Sequence, residues 1–472
     1  MKAGITLTDT DRVEPPTYTV LTESTSIIVI RVTEEFETEE RVIPFSRQTV
    51  RNESLPEGQQ RLIQPGINGV EVLTYRRVLE NGIETSRTLF LRETRVEQQP
   101  EIMMIGVQAP FSPIPIPGRL AYLSGGNAWI MEGNTGSRRP LVTSTDLDGR
   151  IFSLSPDATW LLFTRRASEN EPKKINSLWM VNLEEEDAQP VSLGVDNIIH
   201  FAGWAPTASQ TIFYSTVEPR ESAPGWQANN DLWQLEFAPD GLILSNNILI
   251  ESNSGGIYGW WGTQFAWSPD GALLAYARPD SAGLVDFESG SYLPLLDILP
   301  YQTRGDWAWI PPMTWSPDGQ QVYITTHEPV SGLSTPEASP EFNLASLSLT
   351  NQQVVPLIQR TGMFAFPQFS PTVINEPERL AYLEAVFPDQ SDTSRYRLVL
   401  IDRDGSNRVT IFPEEGSTGL EPQPVVWSPS RLESQPRFIA VIYRGNIWLV
   451  DPETIEARQV TGDGLVSRID WR

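Results

Sequence analysis

Phe265-Ala266-Trp267-Ser268-Pro269-Asp270-Gly271, followed by Leu273-Leu274-Ala275-Tyr276-Ala277, is the stretch from which the fold can be read. An aromatic strand end meets a Ser-Pro-Asp-Gly turn and then a second apolar strand. Proline presets φ at the first turn position, Asp and Gly take the next ones, and the flanking strands pair antiparallel as a hairpin. The phrase recurs at Met313-Thr314-Trp315-Ser316-Pro317-Asp318-Gly319 and at Phe152-Ser153-Leu154-Ser155-Pro156-Asp157. Pro367-Gln368-Phe369-Ser370-Pro371 and Val425-Val426-Trp427-Ser428-Pro429 are further copies, and Phe201-Ala202-Gly203-Trp204-Ala205-Pro206 is a worn one. The Ser or Ala positions 155, 205, 268, 316, 370 and 428 are about 48 to 63 residues apart, the range of radially repeated blades.

Short β-branched and aromatic runs broken by Gly and Pro dominate, and helix-period stretches are nearly absent, so the chain reads as all-β. Its 472 residues call for at least two domains. A net charge of −25 argues against nucleic acid as a partner and against a polybasic membrane patch. There is no cysteine, hence no disulfide and no thiol chemistry. No apolar run of about 18 residues is present to span a membrane as a helix. The opening Met1-Lys2-Ala3-Gly4-Ile5 lacks the apolar core of a secretion signal, so an export signal is not visible in this chain.

All 15 tryptophans lie at or beyond Trp129. Before them runs Ala109-Pro110-Phe111-Ser112-Pro113-Ile114-Pro115-Ile116-Pro117-Gly118, whose alternating prolines favour a semi-rigid spacer. The expected organisation is an N-terminal extension over 1–26, a small elongated β domain over 27–108, a Pro-rich linker over 109–118 and a repeat domain over 119–472. In the first part, Ile27–Ile30, Arg41–Phe45, Val70–Tyr75 and Thr88–Leu91 read as strands, and Asn81-Gly82 is a hairpin signal. With Glu39-Glu40-Arg41-Val42-Ile43-Pro44-Phe45, glycines at 58, 66, 69, 82 and 106, Tyr75 and Asn81, residues 28–108 resemble the five-glycine (G-five) domain of bacterial surface proteins. The resemblance implies a thin β module with little core, serving as an extracytoplasmic spacer with affinity for N-acetylglucosamine-containing polymers. Some relatives self-associate through zinc, but residues 1–110 contain neither His nor Cys to bind it.

Second strands can be placed at Leu120–Leu123, Trp160–Phe163, Thr211–Tyr214, Leu273–Ala277, Val322–Thr325, Leu380–Leu383 and Phe438–Val441, one for each of seven units. The first unit lacks an inner strand, whereas Ser467-Arg468-Ile469-Asp470-Trp471-Arg472 reads as an inner strand with nothing after it. Joining them closes a ring and removes an exposed sheet edge. The fold expected is a seven-bladed β-propeller closed by strand 467–472. Its repeats look like those of the TolB-type propellers, with Trp-Ser-Pro-Asp-Gly, a Leu-Ala-Tyr-like strand, and Ile447-Trp448-Leu449-Val450-Asp451 as the matching third strand.

A catalytic constellation does not assemble. The two histidines, His200 and His327, read as loop or channel-mouth residues and lack the clustered carboxylates of a zinc site. No Gly-x-Ser-x-Gly elbow and no phosphate-cradling loop occur. Asp402-Arg403-Asp404-Gly405-Ser406-Asn407 superficially suggests a calcium loop, but Pro413 stands where the twelfth-position glutamate belongs. The acidic run Glu184-Glu185-Glu186-Asp187 reads as a solvated connection. The expectation is therefore a non-enzyme without metal or cofactor.

Loop lengths are more informative. Short turns are expected on one face, and long insertions on the other at 166–176, 218–230, 253–264, 300–312, 326–341 and 387–394. Long loops on a rigid scaffold are where binding resides. These loops carry Trp226, Tyr258, Trp260, Trp261, Tyr301, Arg304, Trp307 and Trp309, the expected ligand-binding set. Aromatic faces beside polar groups suit sugar rings and equally suit a protein hot spot. The leading reading is a non-catalytic extracytoplasmic binding protein whose partner is a cell-wall or surface glycan, or an envelope protein. A structural subunit of a surface layer or other extracellular assembly is the alternative, and an enzyme acting on polysaccharide or peptides comes third.

Overall fold

The computed structural model describes residues 4–20, 22, 24–52, 55, 58–107, 111–168, 170–171, 173–185, 187–373, 376–429 and 437–472. The chain divides into two compact units, Met1–Gln108 and Ala109–Arg472. Of the sequence features above, Met1 to Ala3, the linker residues Ala109 and Pro110, and Glu186 lie outside the described residues.

The first unit is built on two three-stranded sheets. Gly69–Glu80 is the centre of one, antiparallel to Val32–Ile43 on one side and to Ile83–Val96 on the other. Asn81 and Gly82 join the latter pair with φ of 51° and 82°. Those left-handed values give a two-residue turn the twist of its strands, and they are why Asn-Gly stands there. In the other sheet, Glu101–Gly106 runs parallel to Arg47–Asn52 and antiparallel to Gln60–Gln64. The apolar core is small, comprising Val50, Val72, Leu73, Ile102 and Met104. Every residue of Ile83–Val96 is exposed. Cross-strand ion pairs, among them Arg76 with Glu34, Arg77 with Glu84 and Arg95 with Glu40, lie along the first sheet. Two glycines are dictated by close approach. A Cβ on Gly66 would lie 2.3 Å from the Phe45 ring, and one on Gly69 2.6 Å from the Val96 carbonyl oxygen.

Among the described residues the second unit has seven principal sheets. Six have four strands in chain order, as in Gln264–Trp267, Leu274–Ala277, Ser281–Asp286 and Ser291–Asp297. The remaining sheet joins Asn127–Val142 and Pro115–Ser124 to the C-terminal strand Val466–Trp471. Pro115 to Pro117, read from sequence as linker, therefore already belong to a strand. The inner strands neighbour one another in a closed circuit: Val466–Trp471, Leu147–Leu154, Phe201–Ala205, Gln264–Trp267, Met313–Trp315, Gln368–Phe369, Val426–Trp427, and back to Val466–Trp471. This is a β-propeller.

The recurring hairpin explains itself at atomic level. Ser155, Ser268, Ser316, Ser370 and Ser428 are all buried. In three copies the hydroxyl donates to the turn Asp at 2.6 Å: Ser155 to Asp157, Ser268 to Asp270, Ser316 to Asp318. The same hydroxyl oxygen accepts the N–H that opens the second strand, from Trp160, Leu273, Gln321, Arg379 or Phe438. Each such bond contributes about 1 kcal/mol net, and a buried N–H left alone would cost more. The Ser268 hydroxyl and then the Ala272 N–H hold the Asp270 carboxyl below the usual carboxylate range. The aromatic ending the inner strand stitches neighbouring sheets. The indole N–H of Trp204 donates to the Ser153 carbonyl (3.0 Å), Trp315 to Ala266 (2.8 Å) and Trp427 to Gln368 (3.1 Å). Trp267 departs from this pattern, with its ring between Phe213 and Phe287.

The turns that follow Gln368–Phe369 and Val426–Trp427 lie partly outside the described residues.

Candidate functional site

The loop face is ordered around Asn230. The connection between Ala208–Ser215 and Leu232–Phe237 folds as its own hairpin, Val217–Pro219 against Trp226–Ala228. Asp231 anchors the base of that hairpin. Its carboxylate accepts the Thr216 N–H (2.7 Å) and hydroxyl (2.6 Å), the Ser215 hydroxyl (3.2 Å) and the Trp233 indole N–H (2.8 Å). Asn230, 1% exposed and with φ of 52°, reaches the other way. Its amide donates to the carbonyls of Gly259 (2.8 Å), Asn253 (3.3 Å) and Ala228 (3.4 Å). Those bonds tie the one-turn 3-10 helix Gly259–Trp261 to the hairpin.

The aromatic set expected from sequence separates into three parts. Trp226 and Trp261 meet edge to face at 6.2 Å, and His200 meets Trp226 the same way at 4.6 Å. Both indoles are half-buried, as are Tyr258 and Trp260 on the same segment. Trp307 is 37% exposed and stacks on Phe364 at 6.5 Å, with Arg304 exposed nearby in the same loop. Trp309 is a correction: it is 1% exposed and lies in the core. Its indole N–H donates to the Met363 carbonyl at 2.9 Å and its ring packs on Phe342, so no face is left for a ligand. Tyr301 is half-buried and packs on Phe342 and His327. His327, read as a mouth residue, is 3% exposed inside a strand, with its ring nitrogens facing the carbonyls of Leu299 and Ser339.

His200 carries a signal that sequence did not disclose. Its Nε2 is buried without a hydrogen-bond partner. A Cβ on Gly262 would lie 2.4 Å from its ring, so glycine at φ +85° makes room for it. Burial, and then the positive charge of Arg150, push its pKa down to about 4. The unfolded chain binds the proton near pH 6.5, whereas the folded chain resists it until about 4. Stability is thus fully present above pH 6.5 and falls as pH drops through that window, by at most about 1.4 kcal/mol per unit. Melting temperatures of the wild type and His200→Gln, measured from pH 7 to pH 4.5, are expected to converge as pH falls. Parallel curves would remove His200 from the acid sensitivity.

On the opposite face, two adjoining cavities of about 640 and 650 Å³ share Ser153, Gln368, Phe369, Pro371 and Arg472. Their walls are the inner-strand aromatics and the prolines of the Ser-Pro turns, residues already engaged in joining the sheets.

Residues 34–108 match the G5 domain family model. No curated protein matches the chain. Among solved structures, HP0197-G5 is 28% identical over 16% of this chain and 99% of its own, with a TM-score of 0.16. The IgA1 protease G5 domain is 29% identical over 17% and 94%, with a TM-score of 0.14. For the propeller, the periplasmic gluconolactonase PpgL of Pseudomonas aeruginosa is 13% identical, covering 76% of this chain and 98% of its own, with a TM-score of 0.45.

Proposed function

We propose that this is a surface-associated, non-catalytic binding protein, with the G5 domain as the cell-wall- or glycan-associated module and a TolB-type propeller as the platform for a glycan or an envelope protein. The observation that carries the reading is the Trp226–Trp261–His200 cluster: two half-buried indoles held edge to face on two pinned segments, with His200 against Trp226 from a third. Such rings offer apolar surface to a sugar face while the scaffold has already met the ordering cost. The G5 match supports association with the cell wall or surface, and hence an extracytoplasmic location. Among the described residues no helix is long and apolar enough to cross a membrane, which says nothing of a β-barrel.

The test is the full chain on a glycan array and on purified cell-wall glycan, beside Trp226→Ala/Trp261→Ala. Saturable binding that the double substitution weakens by about tenfold or more is expected, from the loss of two aromatic anchors. Binding unchanged in the double variant would move the site elsewhere. Shortening of the glycan during incubation would overturn the non-catalytic reading.

A further inference from the structure

A second site lies on the loop face in a different sector. A cavity of about 350 Å³ is lined by Arg395, Arg444 and Arg468, with Thr418 and Ser467 beside them. Three arginines line it beside a single acidic residue, Glu421, which pairs with Arg395. Among the described residues neither Arg444 nor Arg468 has a carboxylate within ion-pair distance; Arg444 leans over the Tyr443 ring, and Arg468 donates to the Ser467 carbonyl. In a chain of net charge −25, a cavity lined by three arginines and one glutamate is a local reversal of sign.

The backbone holds these cations in place at some cost. Arg444 sits at φ 53° in the two-residue turn between Tyr443 and Asn446, a left-handed position where Asn or Gly is ordinarily found. Strain of this kind persists where surrounding structure over-determines it, and it is a pointer to function. The neighbouring Gly445 cannot be replaced, because a Cβ there would lie 2.2 Å from the Gly464 carbonyl oxygen. Gly445 also accepts the Val466 N–H at 2.9 Å, which fixes the strand that carries Arg468. On the other wall, the Gln423 amide clasps both polar main-chain atoms of Ile442, at 2.6 and 2.7 Å. Arg468 is exposed by area yet closely surrounded: its Cγ would stand 3.5 Å from a Cβ on Gly149. Desolvation and then the Arg150 charge lower its pKa, while Asp148 opposes them.

We propose that this cavity binds an oxyanionic ligand through Arg444 and Arg468. The carboxylate of an acidic sugar and a free phosphate present the same chemistry, and guanidinium groups suit both. The hydroxyls of Thr418 and Ser467, which line the same cavity, give a sugar-borne anion further partners.

The probes are trigalacturonate, its methyl ester and inorganic phosphate, titrated calorimetrically into the full chain. Trigalacturonate is expected to bind saturably, the ester at least about tenfold more weakly, and added salt to weaken the complex. Arg444→Asn and Arg468→Gln are each expected to raise Kd about tenfold. Asn tolerates the left-handed turn, so Arg444→Asn keeps the fold and isolates the charge. Phosphate binding with the same arginine dependence, and none of trigalacturonate, assigns the site to a small free oxyanion. The proposal is overturned if neither anion binds saturably, or if both variants bind like the wild type. Trp226→Ala/Trp261→Ala is expected to leave this binding unchanged, so the site and the aromatic reading fail separately.

Discussion

A chain lacking residues 466–472 is expected to lose the cooperative unfolding transition of its propeller and to aggregate at concentrations where the intact protein is soluble. Val466–Trp471 is the inner strand of a sheet whose other strands come from the start of the repeat domain. It pairs with Pro115–Ser124, Ile469 opposite Tyr122 and Trp471 opposite Leu120. Arg472 and Arg119 exchange both main-chain hydrogen bonds, at 2.6 and 3.0 Å. Removing the strand uncovers Leu120, Ala121 and Leu123, all at most 2% exposed, together with a bare sheet edge of the kind that templates aggregation. The milder Trp471→Ala removes a ring 2% exposed, whose indole N–H donates to the Pro117 carbonyl at 2.7 Å. It is expected to cost about 3–5 kcal/mol, by analogy with other buried aromatic truncations. Urea unfolding followed by tryptophan fluorescence reads both. A truncated chain with the full-length midpoint would show that ring closure does not hold the fold.

That strand was legible because its signals are local. Ser467-Arg468-Ile469-Asp470-Trp471 carries its own strand pattern, and the missing inner strand at the other end of the domain tells where it goes. The Ser-Pro-Asp-Gly hairpins were legible for the same reason: the latch joins a serine to an amide five residues on, as in Ser268 to Leu273. Gly82, in its two-residue turn, and Gly66 and Gly69, by close approach, likewise act within one small unit.

The sites were harder, because burial in a propeller is decided by residues far apart in the chain. Trp309 reads like any loop tryptophan until Phe342, in the strand Glu341–Ser348, and Met363, in the loop after Val354–Ile358, close over it. Trp307, two residues away, keeps a face in solvent. The cavity of Arg395, Arg444 and Arg468 draws on three separate sheets and has no sequence motif. One signal was present: Arg444-Gly445 stands in a two-residue hairpin turn, where Asn-Gly is the unstrained choice.

Asn230→Ala is expected to abolish ligand capture by the aromatic sector while leaving every aromatic side chain in place. Three main-chain carbonyls lose their donor, at Ala228, Asn253 and Gly259, two of them through bonds between segments. The Asn230 side chain is also packed so tightly that a Cβ on Gly255 would lie 2.5 Å from its Nδ2. Alanine would leave a void there and would have to hold φ 52°, a conformation costing it about 1–2 kcal/mol. Together with stranded carbonyls, the loss is expected to be about 2–4 kcal/mol. Asn230→Gly relieves the backbone part alone and should recover about 1 kcal/mol of it. Because these bonds act on the segment bearing Tyr258, Trp260 and Trp261, hydrogen exchange should quicken over 251–263 in both variants. Glycan binding should fall with it in both. If exchange quickens and binding persists, the aromatic segment does not hold the ligand, and capture must reside in other parts of the loop face or in the G5 domain.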